Sequence, residues 1–366
     1  MTEEKEGIIK SNVILDAGSG YIKAGFAGEE NPSVIFPSCV AYPKKTCFIG
    51  SNSFKKSDIL EFNFPIQNGF IKNYDNFEML LKHAFTDELK VNPEDENVMI
   101  TEAANTPKEN REKLTQFMFE IFNINGFYIS SQAFLSLCSE GSSTGVVLDS
   151  GEGVTQFVPI YEGYAIPQGA IRRNFGGSNL NKYLEDLLFK NEQKYDNQIE
   201  VIRDIKEKAC YVALDFMKEL KNVKPYEYTL PDGKKITIKE ERVKCAEGLF
   251  NLDLIGIDKE DSIAQICFNS IQKCDIDTKK ELYNCVVLSG GSSMFTGFSD
   301  RLCRELKLLV PPSMKEEVNV FATAERKYSA WCGGSILTSV STFESNWITK
   351  SEFEEYGVEI VHKKCV

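Results

Sequence analysis

Val146-Val147-Leu148-Asp149-Ser150-Gly151-Glu152-Gly153-Val154-Thr155 is the stretch around which the chain is organised. A short apolar run ends in a carboxylate, and two glycines then frame a tight turn before the apolar pattern resumes. The run predicts a buried strand and the turn a hairpin loop. Glycines let backbone N–H groups converge on one point, which makes a concave site for an anion such as phosphate. An acid at the mouth of such a loop repels phosphate, so it makes chemical sense when a divalent cation lies between them. Ordinary hairpins also carry D-x-G-x-G, and the stretch by itself leaves both uses open.

The same layout stands near the N-terminus as Val13-Ile14-Leu15-Asp16-Ala17-Gly18-Ser19-Gly20-Tyr21-Ile22. Val286-Val287-Leu288-Ser289-Gly290-Gly291-Ser292-Ser293 gives a third glycine loop without the acid. The spacing is far too long for a solenoid and suits a duplicated domain. Two halves that each present a hairpin loop can clamp one polyphosphate between them. Lys23, just beyond the first loop, is within reach of such a phosphate, although a solvated surface lysine accounts for it equally well. No G-x-x-x-x-G-K-[ST] occurs, and Lys23 stands where a Rossmann fingerprint needs its third glycine.

Composition narrows the class. The 366 residues are 42% hydrophobic and 26% charged, as in a globular protein of two or more domains. A net charge of -12 argues against nucleic acid as the main partner, because phosphate contacts need clustered Lys and Arg. Met1 to Asn12 are charged and lack an apolar core, so no secretory signal is expected, and no apolar run predicts a membrane span. Eleven cysteines without a C-x-x-C pair suggest free buried thiols of a reducing cytosol rather than zinc or redox motifs. His83 and His362 alone leave a Ser-His-Asp mechanism little to work with.

Further along, Asn31 to Asn63 predict a small insert of weak strands, mobile around Lys44 to Asp58. Thr106-Pro107-Lys108-Glu109 predicts a helix start with Thr106 as cap and Pro107 at the first position, followed by a stripe of Leu114, Phe117, Met118, Ile121 and Phe122. Leu180, Tyr183, Leu184, Leu187 and Leu188 repeat that spacing. Ile199 to Leu220 predicts one long charged helix, and Leu230-Pro231-Asp232-Gly233-Lys234 a hairpin turn. Strands and helices alternate with many turn signals, so the fold class is α/β with insertions.

At this point the chain resembles actin, from about Ile14 to Cys365. The blocks that carry the resemblance include Asp16 to Gly28, Val147 to Thr155, Pro159 to Tyr164 and Arg203 to Phe216. Lys273 to Asp277, Ser289-Gly290-Gly291, Glu325 to Ser329, Gly333 to Leu337 and the tail from Trp347 to Cys365 match as well. The resemblance implies a two-lobed actin-like ATPase fold, a duplicated domain with the nucleotide cleft between lobes. The outer lobe would comprise 1–139 and 329–366, with a small insert at 33–64. The inner lobe would comprise 140–328, with an insert at 176–260. ATP or ADP would bind with Mg²⁺ (or Ca²⁺), and Gly18, Ser19, Gly20, Lys23, Gly151, Glu152 and Gly153 would hold the phosphates. Asp16, Asp149 and Gln132 would surround the metal through its waters, and Gln132 would also orient the attacking water. Gly177, Lys206, Glu207, Gly290, Gly291, Ser292, Phe295 and Lys327 would line the adenosine side.

The departures from the family pattern sit at informative places. Glu152 stands where a shorter Asp is usual, Gln156 where a His close to the hydrolytic water is usual, and Asn68 where ordinary actins have His. Phe295 and Cys138 each replace a Tyr. The loop region from Lys44 to Asn63 is short, and Val366 stands where Phe is usual. The resemblance implies a cytoplasmic, cytoskeletal protein that assembles with itself into filaments coupled to slow ATP hydrolysis. Actin-binding proteins would dock in a groove rimmed by Cys138, Tyr164 and the tail from Val340 to Phe343. The competing expectation is an actin-related, non-filamentous subunit of a larger complex. A chaperone or sugar kinase of the same architecture fits less well, since no further substrate domain and no acid placed for a sugar hydroxyl is evident.

Overall fold

The computed structural model describes residues 12–42, 48–49, 61–189 and 198–365. Its two large sheets are built, in chain order, from β1 (Asn12–Ala17), β2 (Tyr21–Phe26), β3 (Val34–Pro37), β4 (Asn97–Glu102), β5 (Gly126–Ser131), β6 (Gly145–Ser150), β7 (Thr155–Tyr161), β8 (Tyr164–Ala165), β9 (Ile171–Arg173), β10 (Val286–Ser289), β11 (Val320–Phe321) and β12 (Ile348–Thr349). The first sheet runs β12-β5-β4-β1-β2-β3. The second runs β8-β7-β6-β10-β11, with β9 paired to β7.

Both sheets share one plan. In each, a glycine hairpin supplies two antiparallel strands (β1 with β2, β6 with β7), and the first strand of the hairpin pairs on its other side with a parallel strand, β4 or β10. Strands covered on both faces read as unbroken apolar runs, which is why Val146-Val147-Leu148 and Val286-Val287-Leu288 are buried throughout. The mixed α/β class expected from the sequence is therefore the one observed, and the repeated loop reflects a repeated sheet.

Packing joins the two sheets. Ala133 and Leu137, on the helix Gln132–Ser139 that follows β5, bury themselves against Val147, Val158 and Val287 of the second sheet. Burying a leucine in this way contributes about 2 kcal/mol. The helix Ser329–Ser339 lies so close to the first that a Cβ on Gly333 would overlap the Leu135 carbonyl oxygen, so the contact requires glycine there. Trp331 of that helix is fully buried and donates its indole N–H to the Ile14 carbonyl at 3.0 Å, tying it beneath β1. Larger cores flank this junction, one around Phe77, Phe117 and Phe127, the other around Phe157, Leu184 and Phe298.

Several local expectations need correction. Pro107, not Thr106, occupies the cap of the helix Lys108–Phe122; the Thr106 hydroxyl donates back to the Ala103 carbonyl at 2.7 Å. The buried face of that helix includes Phe119, whereas Ile121 is 51% exposed, so the apolar stripe is rotated from the one predicted. The long charged helix stops at Ala209 and resumes as a short turn, Phe216–Glu219. Tertiary bonds take its backbone: Arg242 Nε donates to the Ala209 carbonyl at 2.8 Å, and Val212 N to the Thr296 carbonyl at 2.9 Å. The predicted turn at 230–234 does join two strands, Tyr226–Thr229 and Lys235–Ile238.

Val34–Pro37 pairs with β2 in the first sheet, and the short strands Val40–Tyr42, Phe48–Ile49 and Glu61–Asn63 form a small separate sheet. Most of the expected mobile stretch from Lys44 to Asp58 lies outside the described residues. Among the described residues no helix is long and apolar enough to cross a membrane, and the cysteines there are free thiols.

Candidate functional site

The two hairpin loops meet tip to tip. Gly18 N bonds the Tyr21 carbonyl at 3.1 Å and Gly151 N the Val154 carbonyl at 2.8 Å, so each loop is closed by the same bond at the same place. A Cβ on Gly20 would lie 2.9 Å from the Glu152 Cβ, and one on Gly153 would lie 3.2 Å from Ser19 Oγ. A third hairpin backs them. Asn68 and Gly69 both have positive φ, at 48° and 69°, and turn Ile66–Gln67 into Phe70–Ile71. Asn-Gly is the dipeptide that tolerates such a turn. It presents the Gly69 N–H to Ser19 Oγ at 2.9 Å.

Behind the loops runs a continuous chain of bonds from one hairpin to the other. Lys23 Nζ sits 2.6 Å from Asp16 Oδ2. Asp16 Oδ1 accepts from the Thr101 hydroxyl at 2.6 Å and from Gln132 Nε2 at 3.1 Å. Gln132 Oε1 accepts from Gln156 Nε2 at 3.1 Å, and the same nitrogen donates to Asp149 Oδ2 at 2.7 Å. The Ala104 N–H donates to Gln156 Oε1 at 2.6 Å, which fixes the orientation of that amide and, through it, the orientation of Gln132.

The two acids stand in opposite electrostatic situations. Burial pushes the Asp16 carboxyl up, but the Lys23 charge and the bonds from Lys23, Thr101 and Gln132 outweigh it and hold the group below the usual carboxylate range. Asp149 is pushed up by burial and by the charge of Asp16, more than the bonds from Gln156 and Ser289 and the charge of Lys23 offset. Asp149 is thus a carboxylate whose charge the protein leaves under-compensated.

That is a fit for a divalent cation. Two carboxylates and an amide oxygen are hard donors, suited to Mg²⁺, which keeps several waters and needs few direct protein ligands. Among the described residues no group of three His, Cys, Asp or Glu side chains is placed to hold a metal ion by itself. Asp16, Asp149 and Gln132 are the residues that would hold it.

Of the residues expected on the adenosine side, Gly177, Lys206 and Ser292 gather beside Glu152. Lys206 Nζ donates to the Gly177 carbonyl at 3.3 Å and lies 3.9 Å from Glu152 Oε2. Ser292 Oγ donates to the Gly151 carbonyl at 2.8 Å. Gly290 backs onto Ser150 and Asp149, while Gly291 faces open space. Glu207 and Lys327 are exposed, and the charge of Glu207 reaches Lys327. Phe295 is almost wholly buried in the second core.

Of the expected docking groove, Tyr164 is 74% exposed and Val340 46%, and Cys138 is half-buried, its thiol pushed up to about 11 by burial. Phe343 does not rim the groove. It is buried against Tyr128 and Trp347. His83 and His362 stay away from the loops, bonded to Asp87 and Glu112.

The sequence did not point to four residues at this site. Thr101 follows an apolar strand and carries no motif. Tyr21 and Arg203 are paired across 182 positions. Arg172, at the same register as Gln156 on the neighbouring strand, donates to the Ala104 carbonyl at 3.1 Å and lies over the Phe70 ring. The Asn68-Gly69 dipeptide was a legible signal for the third hairpin. Compared with known families, the chain matches the family model described as Actin over residues 9–366.

Proposed function

The chain belongs to the actin family, and we propose on that basis that it binds ATP with Mg²⁺ (or Ca²⁺) between its two glycine hairpins, hydrolyses it slowly, and couples hydrolysis to assembly into filaments. Members of that family are generally ATPases that bind ATP or ADP with a divalent cation. The observation that carries the proposal for this chain is the unbroken run of bonds Lys23–Asp16–Gln132–Gln156–Asp149 beneath two facing phosphate-type loops.

The residues divide the work as their valences allow. Loop N–H groups and Ser19 cradle the phosphates, and Lys23, with one bond to Asp16, keeps donors to spare for them. Gln132 spends its amide hydrogens on Asp16 and Thr101 and one lone pair on Gln156. One lone pair remains to accept from a water and aim it at the terminal phosphate. Phosphoryl transfer needs little more than such positioning and charge neutralisation. The cation, when bound, neutralises charge on the phosphates.

Two measurements test this. A fluorescent ATP analogue should bind in the presence of Mg²⁺ and be lost on chelation. Mg-ATP should then drive the protein into a pelletable form, with phosphate appearing more slowly than the pellet. Absence of nucleotide binding overturns the site. Binding without pelleting at any protein concentration overturns assembly and favours a non-filamentous subunit of a larger complex.

A further inference from the structure

We propose that Tyr21 is a positioning residue which, through Arg203 and Glu152, holds the two glycine loops together and thereby sets how slowly a bound nucleotide leaves; this rests on the nucleotide reading above. Tyr21 closes the first loop, at the start of β2 in the first sheet. Its hydroxyl accepts from Arg203 Nη1 at 3.2 Å, and its ring lies 5.0 Å from the guanidinium carbon. Arg203 Nη2 donates to Glu152 Oε1 at 3.3 Å, at the tip of the second loop. Arg203 itself stands on the helix Gln198–Ala209. The circuit therefore starts in one sheet and ends on the hairpin loop of the other.

Two details make the circuit sensitive to Tyr21. Arg203 is 7% exposed, and its Nε is buried without a partner, so among the described residues its guanidinium bonds go to Tyr21 and Glu152. Glu152 is held at its far end by Asn181 Nδ2 at 3.1 Å and by Lys206. Its extra methylene carries the carboxylate out to these partners while its Cβ stays against Gly20. Removing the Tyr21 hydroxyl leaves a buried guanidinium with one acceptor fewer and loosens the first loop from the helix Gln198–Ala209. Tyr21 and Arg203 border an open cavity of about 350 Å³ that also reaches Glu207, one of the residues expected on the adenosine side. A nucleotide can leave the loops only when they separate, and this clasp resists that separation. It is distinct from the Asp16–Gln132–Gln156–Asp149 chain that positions the water, so retention and hydrolysis should separate experimentally.

The test uses the full chain with Tyr21→Phe, and with Arg203→Lys as a second variant that keeps the charge but loses the fork. Etheno-ATP loaded with Mg²⁺ is chased with excess ATP, and its release rate is compared with the single-turnover hydrolysis rate of each protein. Release from Tyr21→Phe should be about tenfold faster, the size expected for losing one bond from a charged donor, at unchanged hydrolysis rate. Arg203→Lys should shift release in the same direction. Release at the wild-type rate from Tyr21→Phe overturns the proposal, as does an equal change in release and hydrolysis. Failure of the wild type to bind etheno-ATP would overturn the nucleotide reading instead. The clasp is then judged by amide exchange of residues 18–21 and 151–153 in the free protein: faster exchange in Tyr21→Phe supports it, and identical exchange overturns it.

Discussion

Glu102→Gln should stabilise the protein clearly at pH 8 and only slightly at pH 5. Glu102 ends β4, immediately after the Thr101 that bonds Asp16, and its side chain is 16% exposed. Among the described residues its one nearby cation is Arg111, whose Nε lies 3.0 Å from Oε1, yet that N–H is left there without a hydrogen-bond partner. The two groups are close but poorly aimed, while Arg111 Nη2 is engaged by the Cys365 carbonyl at 2.7 Å. Burial therefore prevails over the Arg111 charge and pushes the carboxyl from 4.5 up to about 7. The sign follows from linkage. Between those two values the folded chain holds a proton that the unfolded chain has released, so stability falls as pH rises from about 4.5 to about 7 and stays lowered above it. At about 1.4 kcal/mol per pH unit the full interval is worth on the order of 3 kcal/mol, an upper figure for a side chain that still touches water. A neutral amide in place of the carboxyl would carry no such penalty. Thermal or urea unfolding of both proteins at pH 5 and pH 8 gives the comparison directly. A variant equally stabilised at both pH values, or not stabilised at pH 8, would refute the account. Mg-ATP affinity should not change, because Thr101 and Asp16 are untouched.

Two further outcomes concern the site itself. Asp149→Asn removes one of the two charges expected to face the cation and should weaken Mg-ATP binding by a few kcal/mol while leaving the fold intact, as judged by calorimetric titration and circular dichroism; unchanged affinity would sink the assignment. Gln156→His replaces a group that makes three bonds with a neutral ring that makes two, so Gln132 or Ala104 loses a partner at a cost of about 1 kcal/mol. Single-turnover phosphate release should then change about fivefold, with a rise expected rather than a fall, at unchanged ATP affinity; coincident traces for the two proteins would end the idea.

What could be read from the sequence was local chemistry. Asp16, Asp149 and their glycine loops are contiguous motifs, and their repetition announced two sheets of one plan. Gln132 came by resemblance, and the structure brings it within bonding distance of Asp16. What could not be read were bonds between distant segments. Thr101 reaches Asp16 across 85 positions, and nothing in its own neighbourhood marks it as special. The helix break after Ala209 has a similar origin: local propensity continued the helix, but Thr296 and Arg242 offered its backbone other partners. Ile121 was misplaced for a gentler reason, since a stripe read at ideal spacing rotates when the helix must seat Phe119 against Phe127 and Phe353.

The duplicated plan also explains why the two acids differ. Asp16 lies opposite Lys23 across its hairpin, and Asp149 lies opposite Gln156 at the matching register of the other. Each acid also meets a hydroxyl from the adjacent parallel strand, Thr101 in one sheet and Ser289 in the other. Hydroxyl and acid are thus repeated, while the cross-hairpin partner is a cation on one side and a neutral amide on the other. That single difference neutralises Asp16 and leaves Asp149 with charge to offer. A symmetric pair of lysines would cancel both carboxylates and leave little for a cation to bind. A symmetric pair of amides would set two like charges against each other in a buried space, at a cost to folding. One lysine and one glutamine leave one carboxylate paired and the other under-compensated, which is the asymmetry the proposed cation would use.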